Sequence, residues 1–148
     1  MKTFYKVDDL NSKIHSTVES DNVSYVFNAK IEDASIRVDE FFNVCFYIKF
    51  IYSEGTVEYE MVLSNSNDEQ TYLTPTDNDE GRVIHSLTIT SVNENFSALI
   101  TYLLNTTESD CLEDLKDKYV RIGLDKFSGV SYIGNIINNR WISLKEFA

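Results

Sequence analysis

The chain has 148 residues, a length that suits one domain, and a formal net charge of −11. The charge is uneven: residues 1–81 hold sixteen acidic and six basic side chains, whereas residues 82–148 hold eight and seven. A surface this acidic argues against direct binding of nucleic acid, because contact with phosphates requires a basic face. The sequence shows neither an apolar run long enough to cross a membrane nor a secretory signal. We therefore predict one cytoplasmic domain, over residues 1–148, with no membrane partner.

The first half has the pattern of β-structure. Residues 25–31 alternate apolar and polar side chains, residues 34–38 continue in the same way, and residues 43–52 are dense in β-branched and aromatic side chains. A turn at 53–55 and renewed alternation over 57–63 predict a β-hairpin. Residues 1–23 are predicted to be an N-terminal extension or, over about 7–18, a short amphipathic helix.

A long polar segment and a helix follow. Residues 64–81 are predicted to form a surface loop, and residues 82–90 a strand or an extended lead-in. Ser91 and Glu94 match a capping box, which marks the start of a helix. One apolar stripe then predicts an amphipathic helix over 93–105, formed by Phe96, Leu99, Ile100, Leu103 and Leu104.

The C-terminal third predicts a helical turn at 112–115, strands at 119–122 and 130–137, a turn at Asn138-Asn139 and a closing anchor at Trp141. Together these patterns predict an α+β fold. Its sheet is mainly antiparallel, with one principal amphipathic helix and a C-terminal strand pair.

Catalytic and metal signatures are missing from the sequence. The cysteines Cys45 and Cys111 have no metal-ligand spacing, and His15 and His85 are isolated from them and from each other. Cys45 lies in an apolar run and is predicted to be a small buried side chain. No nucleophile–base set and no phosphate-binding glycine loop can be proposed. We therefore expect no catalytic residue, no metal and no cofactor.

Several C-terminal motifs together resemble a family of small bacteriophage proteins. The matching segments are Leu112-Glu-Asp-Leu115, Lys118-Tyr-Val-Arg121, Ile133-Gly-Asn-Ile136 and Arg140-Trp141, with Lys145-Glu-Phe147 at the end. Residues 29–36, the hairpin and Gly81-Arg82 fit the front of the same pattern, so the likeness covers about residues 28–147. The family is identified as the anti-Thoeris sponge type. Its members sequester cyclic ADP-ribose-type immune signals without converting them. The chain departs from the family pattern at residues 58–63, which contain no glycine, although glycine there would let a ligand approach the backbone.

The resemblance implies a phage-encoded counter-defence protein, a homo-oligomer in the host cytoplasm, that binds a small anionic nucleotide. Arginine suits phosphate because its planar fork can bond two oxygens, and aromatic rings can stack on a base. The candidate ligand residues are Arg82, Arg121, Tyr132, Asn135, Arg140 and Trp141.

Simpler interpretations of these residues stay open. The arginines can be surface charges, Trp141 and Tyr132 packed side chains, and Asn135 a turn residue. A different function also remains: the acidic half can mimic DNA and inhibit a basic host protein. That hypothesis depends on the carboxylates of the polar segment, Asp68, Glu69, Asp77, Asp79 and Glu80.

Overall fold

A seven-stranded antiparallel sheet is the main element of the fold. The structure, a computed structural model, describes residues 10, 12–19, 23–38, 40, 43–64, 71–75, 84–89 and 94–147. The sheet has the strand order β1-β9-β8-β7-β2-β3-β4. Its strands are β1 (Ile14–His15), β2 (Tyr25–Val38), β3 (Val44–Tyr52), β4 (Gly55–Ser64), β7 (Tyr119–Leu124), β8 (Val130–Gly134) and β9 (Trp141–Ser143).

The described residues also form a smaller sheet, a long helix and two short 3₁₀ turns. Strands β5 (Thr71–Pro75) and β6 (Ile84–Ile89) form a separate antiparallel pair. The helix α1 covers Glu94–Thr107, and 3₁₀ turns cover Leu112–Leu115 and Leu144–Phe147. The predicted α+β class is confirmed. The predicted strand pair is present as β7 and β8, and β9 extends it.

The hydrophobic core lies between one face of the large sheet and α1. Leu99 and Leu103 of the predicted stripe are fully buried, and Phe96 packs on Phe46 of β3 with ring centroids 5.4 Å apart. Burying a leucine or phenylalanine side chain contributes about 1.5–3 kcal/mol, so this stripe fixes α1 against the sheet. Cys45 is buried, as the sequence predicts.

The opposite face of the sheet, which we call the outer face, is divided into a covered and an exposed part. Tyr132 and Trp141, on β8 and β9, are buried there. On β2 and β7 the outer face is more open: Asn28 and Tyr119 are exposed. Residue pairs across antiparallel strands share a face, so the register of β2 with β7 places Asn28 beside Arg121 and Lys30 beside Tyr119.

Three sequence predictions are corrected. Ile14–His15 is a strand paired with β9, not part of a helix, because its backbone hydrogen-bonds to Trp141 and Ile142. The polar segment 64–81 is not loop throughout, since Thr71–Pro75 pairs with β6. The strand predicted to reach residue 137 ends at Gly134, where the loop to β9 begins.

Some predictions lie outside the described residues. They are Ser91 of the capping box, the ligand candidate Arg82, and the carboxylates Asp68, Glu69, Asp77, Asp79 and Glu80.

Candidate functional site

The loop between β8 and β9, residues 135–140, is folded by the side chain of its first residue. The Oδ1 atom of Asn135 accepts hydrogen bonds from the backbone amides of Ile137, at 2.7 Å, and Asn138, at 2.9 Å. Its Nδ2 atom donates to Oγ1 of Thr106, at 2.8 Å, and to the Thr106 carbonyl, at 3.3 Å. Asparagine favours turns because its amide imitates a backbone group. Here the same amide also fastens the loop to the C-terminal end of α1.

Arg121 on β7 holds this loop from the side of the sheet. Its Nε donates to the carbonyl of Asn135 and its Nη2 to the carbonyl of Asn138, each at 2.6 Å. A longer bond of 3.3 Å joins Nη2 to Oδ1 of Asn139. Hydrogen bonds from a charged donor are stronger than neutral ones, and the rigid guanidinium fork suits several acceptors at once. Arg121 therefore holds the loop in place by donating hydrogen bonds to the backbone carbonyl groups of the loop.

Gly134 leaves room for the ring of Trp141, which the guanidinium of Arg121 contacts. The guanidinium carbon of Arg121 lies 4.5 Å from the centroid of the Trp141 ring, in a cation–π contact. The indole lies directly over Gly134: a Cβ atom there would come within 2.5 Å of the ring. Tyr132 meets the edge of Trp141 at a centroid distance of 6.4 Å. Only 4% of Trp141 and 2% of Tyr132 are exposed. A base would reach the Trp141 ring only after Arg121 moved away from it.

On the other side of the loop, towards α1, lies a cleft of about 240 Å³. Most of its lining residues are polar, and they come from α1, from the residue after it, from the loop and from the N-terminal segment: Tyr102, Asn105, Thr106, Glu108, Asn135, Asn138, Arg140 and Leu10. Three asparagines, two hydroxyl residues, one glutamate and one arginine therefore line one concave surface. A few convergent polar groups in a cleft are typical of ligand sites, although this one is smaller than the usual range of about 300–1,000 Å³.

Tyr102 closes the inner end of this cleft and fixes its geometry. Its hydroxyl donates to the carbonyl of Arg140, at 2.7 Å, and lies 3.1 Å from the carbonyl of Ile133. Burial raises the pKa of Tyr102 well above its ordinary value, so the hydroxyl keeps its proton at physiological pH. Tyr102 thereby connects α1 to β8, which precedes the loop, and to Arg140, the last residue of the loop.

The predicted ligand residues separate into three groups. Asn135 and Arg140 line the cleft. Arg121, Tyr132 and Trp141 form a cluster behind the loop that lines it, and Arg82 lies outside the described residues. The structure thus brings five of the six candidates to one end of the β7–β9 sheet, but only two of them line the cleft.

Sequence reasoning missed most of the lining on the helix side, namely Tyr102, Asn105, Thr106 and Glu108. The available signal was a change in composition: the apolar stripe gives way to polar residues in the last turn of α1. That signal marks the helix end. The change in composition does not show that β8 and β9 place the asparagine-rich loop of residues 135–140 against this end of α1.

The electrostatics of the cleft are balanced. Arg140 is the cation of the lining, and Glu108 is its carboxylate. Among the described residues, no three His, Cys, Asp or Glu side chains lie together in a way that could hold a metal ion. Within the same residues, no helix is both long and apolar enough to cross a membrane. The cleft therefore offers hydrogen-bonding groups, one positive charge and one negative charge.

Comparison with protein-family models, with curated proteins and with solved structures finds no match for this chain. The resemblance to anti-Thoeris sponge proteins therefore stays a prediction from the sequence motifs.

Proposed function

We propose that the protein captures a small anionic nucleotide in the cleft beside α1 and holds it without chemical conversion. The observation that supports this proposal is the convergence of Asn135 and Arg140, two of the residues predicted from the sequence, with the polar end of α1 on one concave surface. Such a surface provides donors and acceptors for a sugar or base and a cation for a phosphate.

The lining suggests how a nucleotide would be oriented. The guanidinium of Arg140 suits a phosphate, which it can contact through two nitrogen atoms. The carboxylate of Glu108 suits ribose hydroxyls, as acidic side chains do in dinucleotide sites. Asn105 and Asn138 supply amides that can pair with a base edge. The small volume favours one nucleotide unit of the ligand in each cleft.

The biological role comes from the sequence resemblance. A cyclic ADP-ribose-type signal, sequestered in the cytoplasm of the infected cell, would no longer reach the defence effector that it activates. We accordingly propose a phage-encoded counter-defence protein.

Titration calorimetry against cyclic ADP-ribose isomers and cyclic di- and trinucleotides tests this function. We expect one member of the panel to bind and to be recovered unchanged after the protein is denatured. Arg140→Ala should weaken binding about tenfold or more, since a hydrogen bond to a charged group contributes about 1.5–3 kcal/mol. Lys126→Ala is the matched control, because Lys126 is an exposed cation in the turn at the opposite end of β8. Binding of no member of the panel would reject the proposal, and recovery of a converted product would make the protein an enzyme.

The second candidate function is the DNA-mimic hypothesis, and the five carboxylates that motivate it lie outside the described residues. It predicts a basic partner from host lysate that is lost when those five residues are changed to Asn or Gln. Binding of that partner should fall steeply with salt.

A further inference from the structure

The exposed part of the outer face, on β2 and β7, carries an aromatic ring between cationic and amide side chains. Tyr119 opens β7 with 56% of its surface exposed, and Lys30 lies directly across from it on β2. Arg121 follows on the same face of β7, with Asn28 across from it. Sheet geometry sets the spacing: Cβ atoms of cross-strand partners lie about 5 Å apart, and those of residues i and i+2 about 7 Å apart.

The positive charge of this surface is only lightly compensated. Lys30 forms a long ion pair of 3.9 Å with Asp117, whose side chain is 71% exposed, and such surface pairs contribute little. The described hydrogen bonds of Arg121 go to carbonyl and amide oxygens, which are neutral, and they start from Nε and Nη2. Its charge therefore remains, and its Nη1 edge takes no part in those bonds.

We propose that this part of the outer face is a second binding site, separate from the cleft, for a planar base that carries phosphate. The base stacks on Tyr119, and the phosphate lies between Lys30 and Arg121. Stacking on an exposed aromatic ring tolerates any base, because every base has a π-face. Charge complementarity favours an anionic ligand at this position. The net charge of −11 opposes a long polyanion, so the occupant is a single nucleotide, not a nucleic-acid strand.

A titration of ¹⁵N-labelled protein with ADP, followed by NMR, tests the second site. We expect shifts of the amide signals of Asn28, Lys30 and Tyr119. Tyr119→Ser should weaken ADP binding about 5- to 150-fold, which corresponds to the usual contribution of one stacked base, about 1–3 kcal/mol. Tyr25→Ser is the matched control, because Tyr25 is also an exposed tyrosine of the same strand pair, at the far end of β2. It should leave the affinity unchanged.

Lys30→Ala separates stacking from charge. It should weaken the binding of ADP more than the binding of adenosine, which has no phosphate.

The outcomes distinguish this inference from the proposed function. Shifts confined to Asn105, Thr106 and Asn138 would overturn the second site and leave the cleft as the nucleotide site. Shifts confined to β2 and β7 would support the second site even if the cleft bound no cyclic nucleotide. Equal ADP affinity of Tyr119→Ser and wild type would also overturn it, as would the absence of shifts at millimolar ADP.

Discussion

Gly134 is the residue that allows Trp141 and Arg121 to stack on the sheet. A methyl group at this position would lie within 2.5 Å of the indole, so Gly134→Ala must displace the ring and weaken the contact with Arg121. Overpacking of this kind costs about 1–3 kcal/mol, and we expect that loss in the free energy of unfolding measured with urea. Gly129→Ala is the control, because the nearest atom to a Cβ there is a carboxylate oxygen of Asp125 at 3.2 Å, a much milder contact than the 2.5 Å at Gly134. Equal stability of the two variants would contradict the stacking role of Gly134.

Tyr102 predicts how stability depends on pH. Burial raises its pKa in the folded protein, whereas in the unfolded chain the phenol ionises near pH 10. The folded state thus binds its proton more tightly, and this contribution is complete below pH 10 and falls as pH rises above 10. Tyr102→Phe should lose about 1–2 kcal/mol at pH 7, because the carbonyl of Arg140 loses its donor. Its free energy of unfolding should fall less steeply above pH 10 than that of wild type. If the free energy of unfolding fell equally steeply above pH 10 in wild type and in Tyr102→Phe, the raised pKa of Tyr102 would be contradicted.

The loop of residues 135–140 is held by side chains from three directions, although its tip is apolar. Arg121 donates to two of its carbonyls, Asn135 bonds to Thr106, and the Tyr102 hydroxyl donates to the Arg140 carbonyl. At the tip, Ile137 is 84% exposed. An exposed isoleucine adds nothing to the folding of the loop, so we attribute the three restraints to the polar groups that the loop presents to the cleft. A fixed loop lowers the cost of ordering it when a ligand binds.

Arg121→Lys tests the role of the guanidinium in this loop. A lysine keeps the charge but lacks the planar fork that reaches the Asn135 and Asn138 carbonyls together. We expect the amides of Ile137 and Asn138 to exchange with deuterium about tenfold faster or more, while those of β3 keep their protection. Unchanged exchange of the Ile137 and Asn138 amides in Arg121→Lys would contradict the role of the guanidinium in holding the loop.

Patterns of period two and of period 3.6 predicted β2, β3, β4 and α1, because each of these elements buries one face. The same patterns give wrong predictions where the local composition indicates one structure and contacts with distant residues impose another. β5 was missed because it is short, ends in Pro75 and lies in a polar stretch. Ile136 and Ile137 continue a β-forming run, so the pattern predicts that the strand beginning at residue 130 reaches residue 137. It ends at Gly134 because Asn135 takes up the following amides.

The sequence predicts which residues belong to the candidate site better than it predicts what those residues do there. The sequence shows that Arg121 is charged, but not that two carbonyl groups, 14 and 17 residues further on, face it across the sheet. It shows one tryptophan, but not that Gly134 lets its ring lie flat and covered. The cleft itself depends on the packing of α1 against the end of β8, which is a tertiary contact without a sequence motif.

At the scale of the whole molecule, charge and exposed apolar surface act against each other in self-association. The described surface exposes several large apolar side chains, among them Tyr25, Phe127 and Ile137, whereas the net charge of −11 makes copies of the chain repel one another. We expect a dimer or a multiple of dimers, because nine Phe and nine Tyr are more than one core of this size needs, and because the sequence resemblance implies a homo-oligomer. Light scattering at micromolar concentration should give a multiple of 17.1 kDa, and the mass should rise or persist with added salt, which screens the repulsion.

Ile137→Asp then separates the apolar contribution to assembly from the contribution of charge. If the loop tip is buried between copies, the new carboxylate must lose water there, and the mass should fall towards 17.1 kDa. Phe127→Asp adds the same charge at the opposite end of β8, so it controls for the change in net charge. A wild-type mass of 17.1 kDa at both salt concentrations would contradict the oligomer. Equal dissociation of the two variants would assign the effect to charge repulsion instead of to the loop.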